Sequence, residues 1–190
     1  IVDYDKLNVK IPAYMVRELV GKAPHKFWVY GRNPKRNAEW GGKEQFMELG
    51  GDYLYVIDME TGKRRFGLLK DCENFVRLGD ALENVREPYP VIRYPHDVPE
   101  ELQHVELWMV HYKNTEAPML IFSEDRDRVK DCIELATVAV GGEEELKKKP
   151  IAQGGGMCPD APMHFDAKLT EGVIESARFG LPIWILPMDN

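Results

Sequence analysis

The sequence predicts an α/β fold: part of a (β/α)8 barrel of the TIM type, preceded by an antiparallel hairpin and a helix. Three observations lead there. First, four short apolar runs recur roughly every thirty residues, each opened by a proline: PVIRYP at Pro90, PMLIFS at Pro118, PIAQGG at Pro150 and PIWILP at Pro182. Each is too short for a helix and apolar on both faces, as buried parallel strands are. Proline at a strand's first residue removes no ladder bond. Second, amphipathic helical stretches fill the intervals, and parallel neighbours need such crossovers. Third, the residues before position 85 carry aromatic-rich runs broken by a turn signal instead.

Taken in order, IPAYMVRELVGKAP reads as a short amphipathic helix begun by Pro12, whose missing N–H is no loss in a first turn. FWVYG and DYLYVID are strand signals, and METGKRRFG is a tight turn into a pairing strand. LLKDCENFVRLGDAL is a helix with Leu69, Cys72, Phe75, Val76 and Leu82 inward. Residues 1–85 thus decorate one end of the barrel, and 86–190 supply four strand–helix units. In the first of these units PEELQHVELWMVHYKN sets Leu102, Val105, Trp108, Met109 and Tyr112 at helical spacing. Ser123 opens a helix whose apolar stripe is Val129, Cys132, Ile133, Ala136 and Val140, with Gly141 as its C-cap. The last helix, DAKLTEGVIESARFG, ends at Gly180. A doubly wound sheet would use the same units; the uniform period favours the barrel.

The chain has 190 residues, 44% hydrophobic and 30% charged, with a net charge of −7. An acidic surface disfavours nucleic acid, whose phosphates require clustered Lys and Arg. The basic run Lys147-Lys148-Lys149 suits a helix end, where cations complement the dipole. Cys72, Cys132 and Cys158 share no motif spacing, so neither a disulfide framework nor a zinc site is indicated. That fits a reducing compartment and a cytoplasmic location. The opening IVDYDKLNVKIP has no signal-peptide pattern, and apolar stretches fall far short of the roughly 20 residues of a membrane span.

In parallel α/β folds function gathers at the C-terminal ends of the strands. There the sequence offers Tyr94-Pro95-His96-Asp97, then Ser123-Glu124-Asp125, then GGGMCPDAPMHFD, then Pro187-Met188-Asp189-Asn190. His96 with Asp97 is the candidate catalytic pair, since an imidazole beside a carboxylate can serve as a general acid or base. Asp97 can equally cap the helix that follows. His104 and His111 lack the spacing of four and the third ligand that a metal would need. Gly154-Gly155-Gly156 lacks both nucleotide-binding signatures. It is read either as a close-approach wall of a binding site, with Gly155 and Gly156 at the ligand, or as a plain crossover loop. Cys158 could be a nucleophile, but no partner base is identifiable, so an inert loop thiol is the favoured reading.

The stretch CPDAPMHFDAKLTEGVIESARFGLPIWILPM resembles the barrel segment of the trimethylamine methyltransferase family. In that family a proline-rich N-P-x-S-P-L-like motif precedes a helix and a G-x-P-hydrophobic strand. IDMETGKRRFGLLKD, YPHDVP, KNTEAPM and AVGGEEELKKKP are similar to the same family in the same order. Cys158 stands where the family often has Asn, and Ala161 where it often has Ser. The resemblance implies an enzyme that moves a methyl group from a methylated amine, trimethylamine or glycine betaine, to the Co(I) of a corrinoid (cobalamin) protein. It also implies that this chain is a piece of a longer protein. Such chemistry asks the protein mainly to hold a cation in line with cobalt, which aromatic faces and carboxylates do. Tyr94, Asp97, Glu124 and Asp189 are the matching residue types, and His96 suits a betaine carboxylate.

A non-catalytic binding module for quaternary ammonium compounds is the alternative, since the same loops would serve it. Four strands leave open sheet edges, so a homo-oligomer across those edges is also expected.

Overall fold

The computed structural model describes residues 2–5, 8–45, 47–121, 125–159, 164–183 and 185. The chain begins with two short paired strands, β1 (Val2–Asp3) and β2 (Asn8–Val9), and helix α1 (Ala13–Gly21) with Pro12 as its N-cap. None of the α1 residues is buried. Strand β3 (Phe27–Val29) pairs antiparallel with β4 (Ala38–Trp40), and Phe27 stacks on Trp40. The sequence reading had β3 without its partner.

Strand β5 (Met47–Glu48) is followed by the antiparallel hairpin β6 (Tyr55–Ile57) and β7 (Arg64–Phe66), which lies where the aromatic runs predict it. Its turn is held by Asp58, which accepts hydrogen bonds from the Glu60 and Thr61 amides and the Thr61 hydroxyl. Gly62 supplies the positive φ of +68° that such a turn requires. Helix α2 (Leu69–Ala81) follows at once. Cys72 and Val76 face inward as expected, but Leu82 is 46% exposed, because the helix has ended and the chain has turned to extended backbone there.

The first parallel strand of the second half is displaced from the sequence reading. Strand β8 covers Val85–Glu87, upstream of PVIRYP, and pairs parallel with β5. The pairing continues beyond the ladder through Tyr53 N to Val91 O at 3.2 Å and Arg93 N to Tyr53 O at 3.3 Å. Pro88 and Pro90 donate no ladder bond, so regular strand stops before them. A 3-10 turn (Glu100–Leu102) leads into α3 (Gln103–Asn114). The turn winds more tightly than an α-helix, which takes Leu102, expected inward, out to 48% exposure. Helix α3 buries residues on two flanks rather than one stripe. Leu107 and Val110 join Cys72, Val76 and Ile92, while Trp108 enters a second core with Met119, Ile121 and Val129.

Strands β9 (Met119–Ile121) and β10 (Ala152–Gly154) pair in parallel at the second and third predicted runs. Between them lie α4 (Arg126–Val140) and α5 (Glu143–Lys148). Asp125 caps α4 by accepting from Arg128 N at 2.9 Å; Ser123, expected to open this helix, lies outside the described residues. Gly141 ends α4 at φ +87°, and Lys147 and Lys148 occupy the last turn of α5 as read from the sequence. Helix α6 (Ala167–Phe179) is capped by Asp166 and closed by Gly180 at φ +92°. The fourth run lies beside β10: Gly154 N donates to Pro182 O at 2.8 Å, and Met157 bridges Ile185 in parallel. The architecture is mixed α/β with short two-stranded ladders, and among the described residues they do not close into a barrel.

Candidate functional site

The parallel pairings bring the segments after β5, β8 and β10 to one place. They enclose a cavity of about 420 Å³ together with Leu120 of β9 and Leu169 of α6, within the usual range for small-ligand sites. Glu48, Gly50, Gly51 and Asp52 form one side, Tyr89, Arg93 and Tyr94 the second, and Gly155, Gly156 and Cys158 the third. Asp52 takes a left-handed backbone with φ +69°, a conformation short polar residues tolerate better than most. Its carboxylate pairs with Arg93 at 2.8 Å, and the Arg93 guanidinium lies 5.6 Å from the Tyr94 ring centre. Arg93 Nε also donates to the Tyr94 hydroxyl at 3.0 Å. One arginine therefore locks the β5 and β8 loops together. Desolvation raises the Glu48 carboxyl above its ordinary value, although the residue as a whole is exposed.

Behind Tyr89 lies a buried polar cluster. Glu87 is fully buried; its carboxyl accepts from Gln153 Nε2 at 2.8 Å, from Trp40 Nε1 at 3.3 Å and from the Tyr89 hydroxyl. Gln153 Nε2 also lies 2.7 Å from the Tyr89 oxygen. Burial pushes the Glu87 carboxyl up to about 7, against the lowering pull of the Tyr89 hydrogen bond. Burial, then the adjoining Glu87 carboxyl, drives the Tyr89 phenol well above its usual range. Tyr89 therefore stays a neutral donor.

Of the residues singled out from sequence, Tyr94, Gly155 and Gly156 meet on the cavity wall. His96 and Asp97 do not line it. The His96 ring stacks on Phe66 with centres 4.5 Å apart, and its amide donates to Gly67 O at 2.9 Å. Asp97 accepts from Leu69 N at 2.8 Å, capping α2 rather than the helix that follows it in sequence. Glu124 and Asp189 lie outside the described residues. Glu48, Asp52, Tyr89 and Arg93 were missed, as were Glu87 and Gln153 behind them. The visible signal for the first pair is Gly50-Gly51-Asp52, a glycine pair ahead of a carboxylate after a short strand. His111 is a core residue: its Nε2 meets Ala117 O at 3.1 Å, and burial lowers its pKa to about 4. Among the described residues no group of three or more His, Cys, Asp or Glu is arranged to hold a metal. No helix there is long and apolar enough to cross a membrane.

Parallel strands with crossover helices, and a small acidic and aromatic cavity where their loops meet, define an α/β protein with a candidate site at its strand ends. The chain belongs to the trimethylamine methyltransferase (MTTB) family, whose model matches residues 2–189. It is 29% identical over 187 residues to the trimethylamine methyltransferase MttB of Desulfitobacterium hafniense, covering 98% of this chain and 37% of that protein. It is 31% identical over 144 residues to a glycine betaine methyltransferase from another strain of that organism, covering 73% of this chain and 29% of the relative. Trimethylamine methyltransferase MttB2 of Methanosarcina mazei is 29% identical over 206 residues, with 98% and 38% covered. The chain thus spans well under half the length of these relatives.

Proposed function

We propose that the chain is part of a methyltransferase that moves a methyl group from a methylated amine of the trimethylamine or betaine type to the Co(I) of a corrinoid protein, with the parallel units forming part of a (β/α)8 barrel. The observation that supports this reading is the cavity lining. Two carboxylates, Glu48 and Asp52, and the aromatic rings of Tyr89 and Tyr94 face a space of about 420 Å³. Carboxylates and π-faces are the groups that hold a quaternary ammonium ion in a partly desolvated site. Arg93, held by Asp52, is placed to take a substrate carboxylate if the amine is a betaine.

The cavity's size suits an amine of a few heavy atoms and not a corrin macrocycle, so the corrinoid is proposed to be presented from outside by its own carrier protein. When bound there it would supply the cobalt nucleophile. The residues of this chain orient the ammonium group and exclude water around it. Glu124 and Asp189 are proposed as further substrate-binding carboxylates, and association of copies across open sheet edges is proposed to accompany the fold. The test is methyl transfer to free cob(I)alamin by the full-length protein across a panel of methylamines and betaines. Transfer with at least one amine is expected. Tight binding of an amine without any demethylated product would make the protein a binding module instead.

A further inference from the structure

Among the described residues Glu87 is the one fully buried carboxylate, and its partners are of one kind. Trp40 from β4, Gln153 from β10 and Tyr89 from its own segment all present N–H or O–H donors to it. Three donors solvate a carboxylate well, yet all three are neutral. Among the described residues, the charged side chains lining the adjoining cavity are Glu48 from β5, which repels a second negative charge, and the Asp52–Arg93 pair, already matched within itself. Among the described residues the site therefore offers donors to a carboxylate and no unmatched cation to keep it ionised. The cavity lies against Tyr89, whose hydroxyl meets the Glu87 carboxyl, and a second open space lies against Trp40 and Glu48.

We infer that Glu87 is a proton-releasing countercharge of the cavity: it gives its proton to solvent when a quaternary ammonium ion occupies the space beyond Tyr89. This rests on the cation-binding reading above. The balance is simple: a neutral Glu87 carboxylic acid plus a bound cation becomes a carboxylate facing that cation, and one proton leaves to the buffer. No bond to the ligand forms. Glu87 does not touch the amine and acts through Tyr89, so it is a positioning residue. A neutral carboxyl in the empty site spares the fold an unpaired buried charge. The same carboxyl, ionised on demand, favours cations over uncharged molecules of the same shape.

Calorimetric titration of the full-length protein with tetramethylammonium chloride and with glycine betaine, each in two buffers of different ionisation enthalpy, counts the protons directly. With the carboxyl at about 7 in the free protein, about half a proton is released per cation at pH 7, nearly one at pH 6 and almost none at pH 8. Affinity falls about tenfold from pH 8 to pH 6. Glu87→Gln abolishes the release, whereas Glu134→Gln on the exposed face of α4 leaves it in place. The uncharged isostere tert-butanol releases none. Cation binding with no proton release in the unsubstituted protein overturns the inference and leaves the cation site standing. Release that survives in Glu87→Gln assigns the proton to another group and overturns it too. If neither cation binds, the cation reading itself falls, and this inference with it.

Discussion

The carboxylate of Asp97 accepts a hydrogen bond from the backbone N–H of Leu69 at 2.8 Å, tying the segment after β8 to the first turn of α2. A second carboxylate, Asp71, takes the preceding Leu68 amide at 2.9 Å. Two of the amides that a helix start leaves without partners are thus satisfied by acidic side chains, as the dipole favours. The tertiary contact, 28 residues long in sequence, decides what Asp97 does.

Asp97→Ala is expected to destabilise the protein by about 1 kcal/mol, the usual worth of a helix N-cap, and Asp97→Asn by a few tenths at most. Neither should change amine affinity. Urea melts with parallel binding titrations check this. A large loss of affinity in Asp97→Asn would place the carboxylate at the ligand.

Glu87 and His111 give opposing pH dependences of stability. The Glu87 carboxyl rises from 4.5 to about 7 on folding, so between those values the folded state holds the extra proton and stability falls as pH rises. The His111 imidazole drops from 6.5 to about 4, so between those values the unfolded state holds the extra proton and stability rises with pH. Between pH 4.5 and 6.5 their contributions cancel. Denaturant melts at pH 5 and 6.5 should show Glu87→Gln gaining stability with pH, at up to about 1.4 kcal/mol per pH unit. His111→Gln should show the reverse slope. Parallel profiles in the two variants would contradict the assignment.

Gly154 is a packing constraint. A Cβ there would overlap the Ser176 side chain of α6 and approach Ile183 Cγ2 at 2.9 Å. Gly154→Ala is expected to cost about 1–3 kcal/mol, as overpacking does in a filled interior. Thermal or urea unfolding measures it, and an unchanged midpoint would mean that β10 and α6 sit further apart.

The three thiols should separate by reactivity. Cys72 and Cys132 are buried, and burial pushes each thiol up to about 12. Cys158 is exposed and lines the cavity. A thiol reagent under native conditions is expected to label Cys158 alone, since buried cysteines are inert, and a bound amine should slow that labelling. Equal labelling with and without saturating ligand would take the ligand out of this cavity.

What was legible in the sequence is what neighbours in the chain decide. The α4 stripe from Val129 to Ala136, the glycine stops at Gly141 and Gly180, the Asp58 hairpin and the parallel runs at Met119 and Ala152 all follow from local periodicity and turn chemistry. The family motifs were legible for the same reason, being short and consecutive, and the family they indicated is the one whose model matches the chain.

What only the tertiary structure decided is which distant segments meet. The β3–β4 pairing, the start of β8 at Val85, the two-sided burial of α3 and the partner of Asp97 each depend on a segment far away in sequence. The candidate site was half legible on that account: Tyr94, Gly155 and Gly156 follow apolar runs, whereas Glu48 and Asp52 follow a strand too short to leave a pattern. Glu87 reads as an ordinary acidic residue in sequence. Its burial comes from Trp40 of β4 and Gln153 of β10 closing around it with Tyr89 of its own segment, and a carboxyl's charge state is set by the water it loses and the donors it gains.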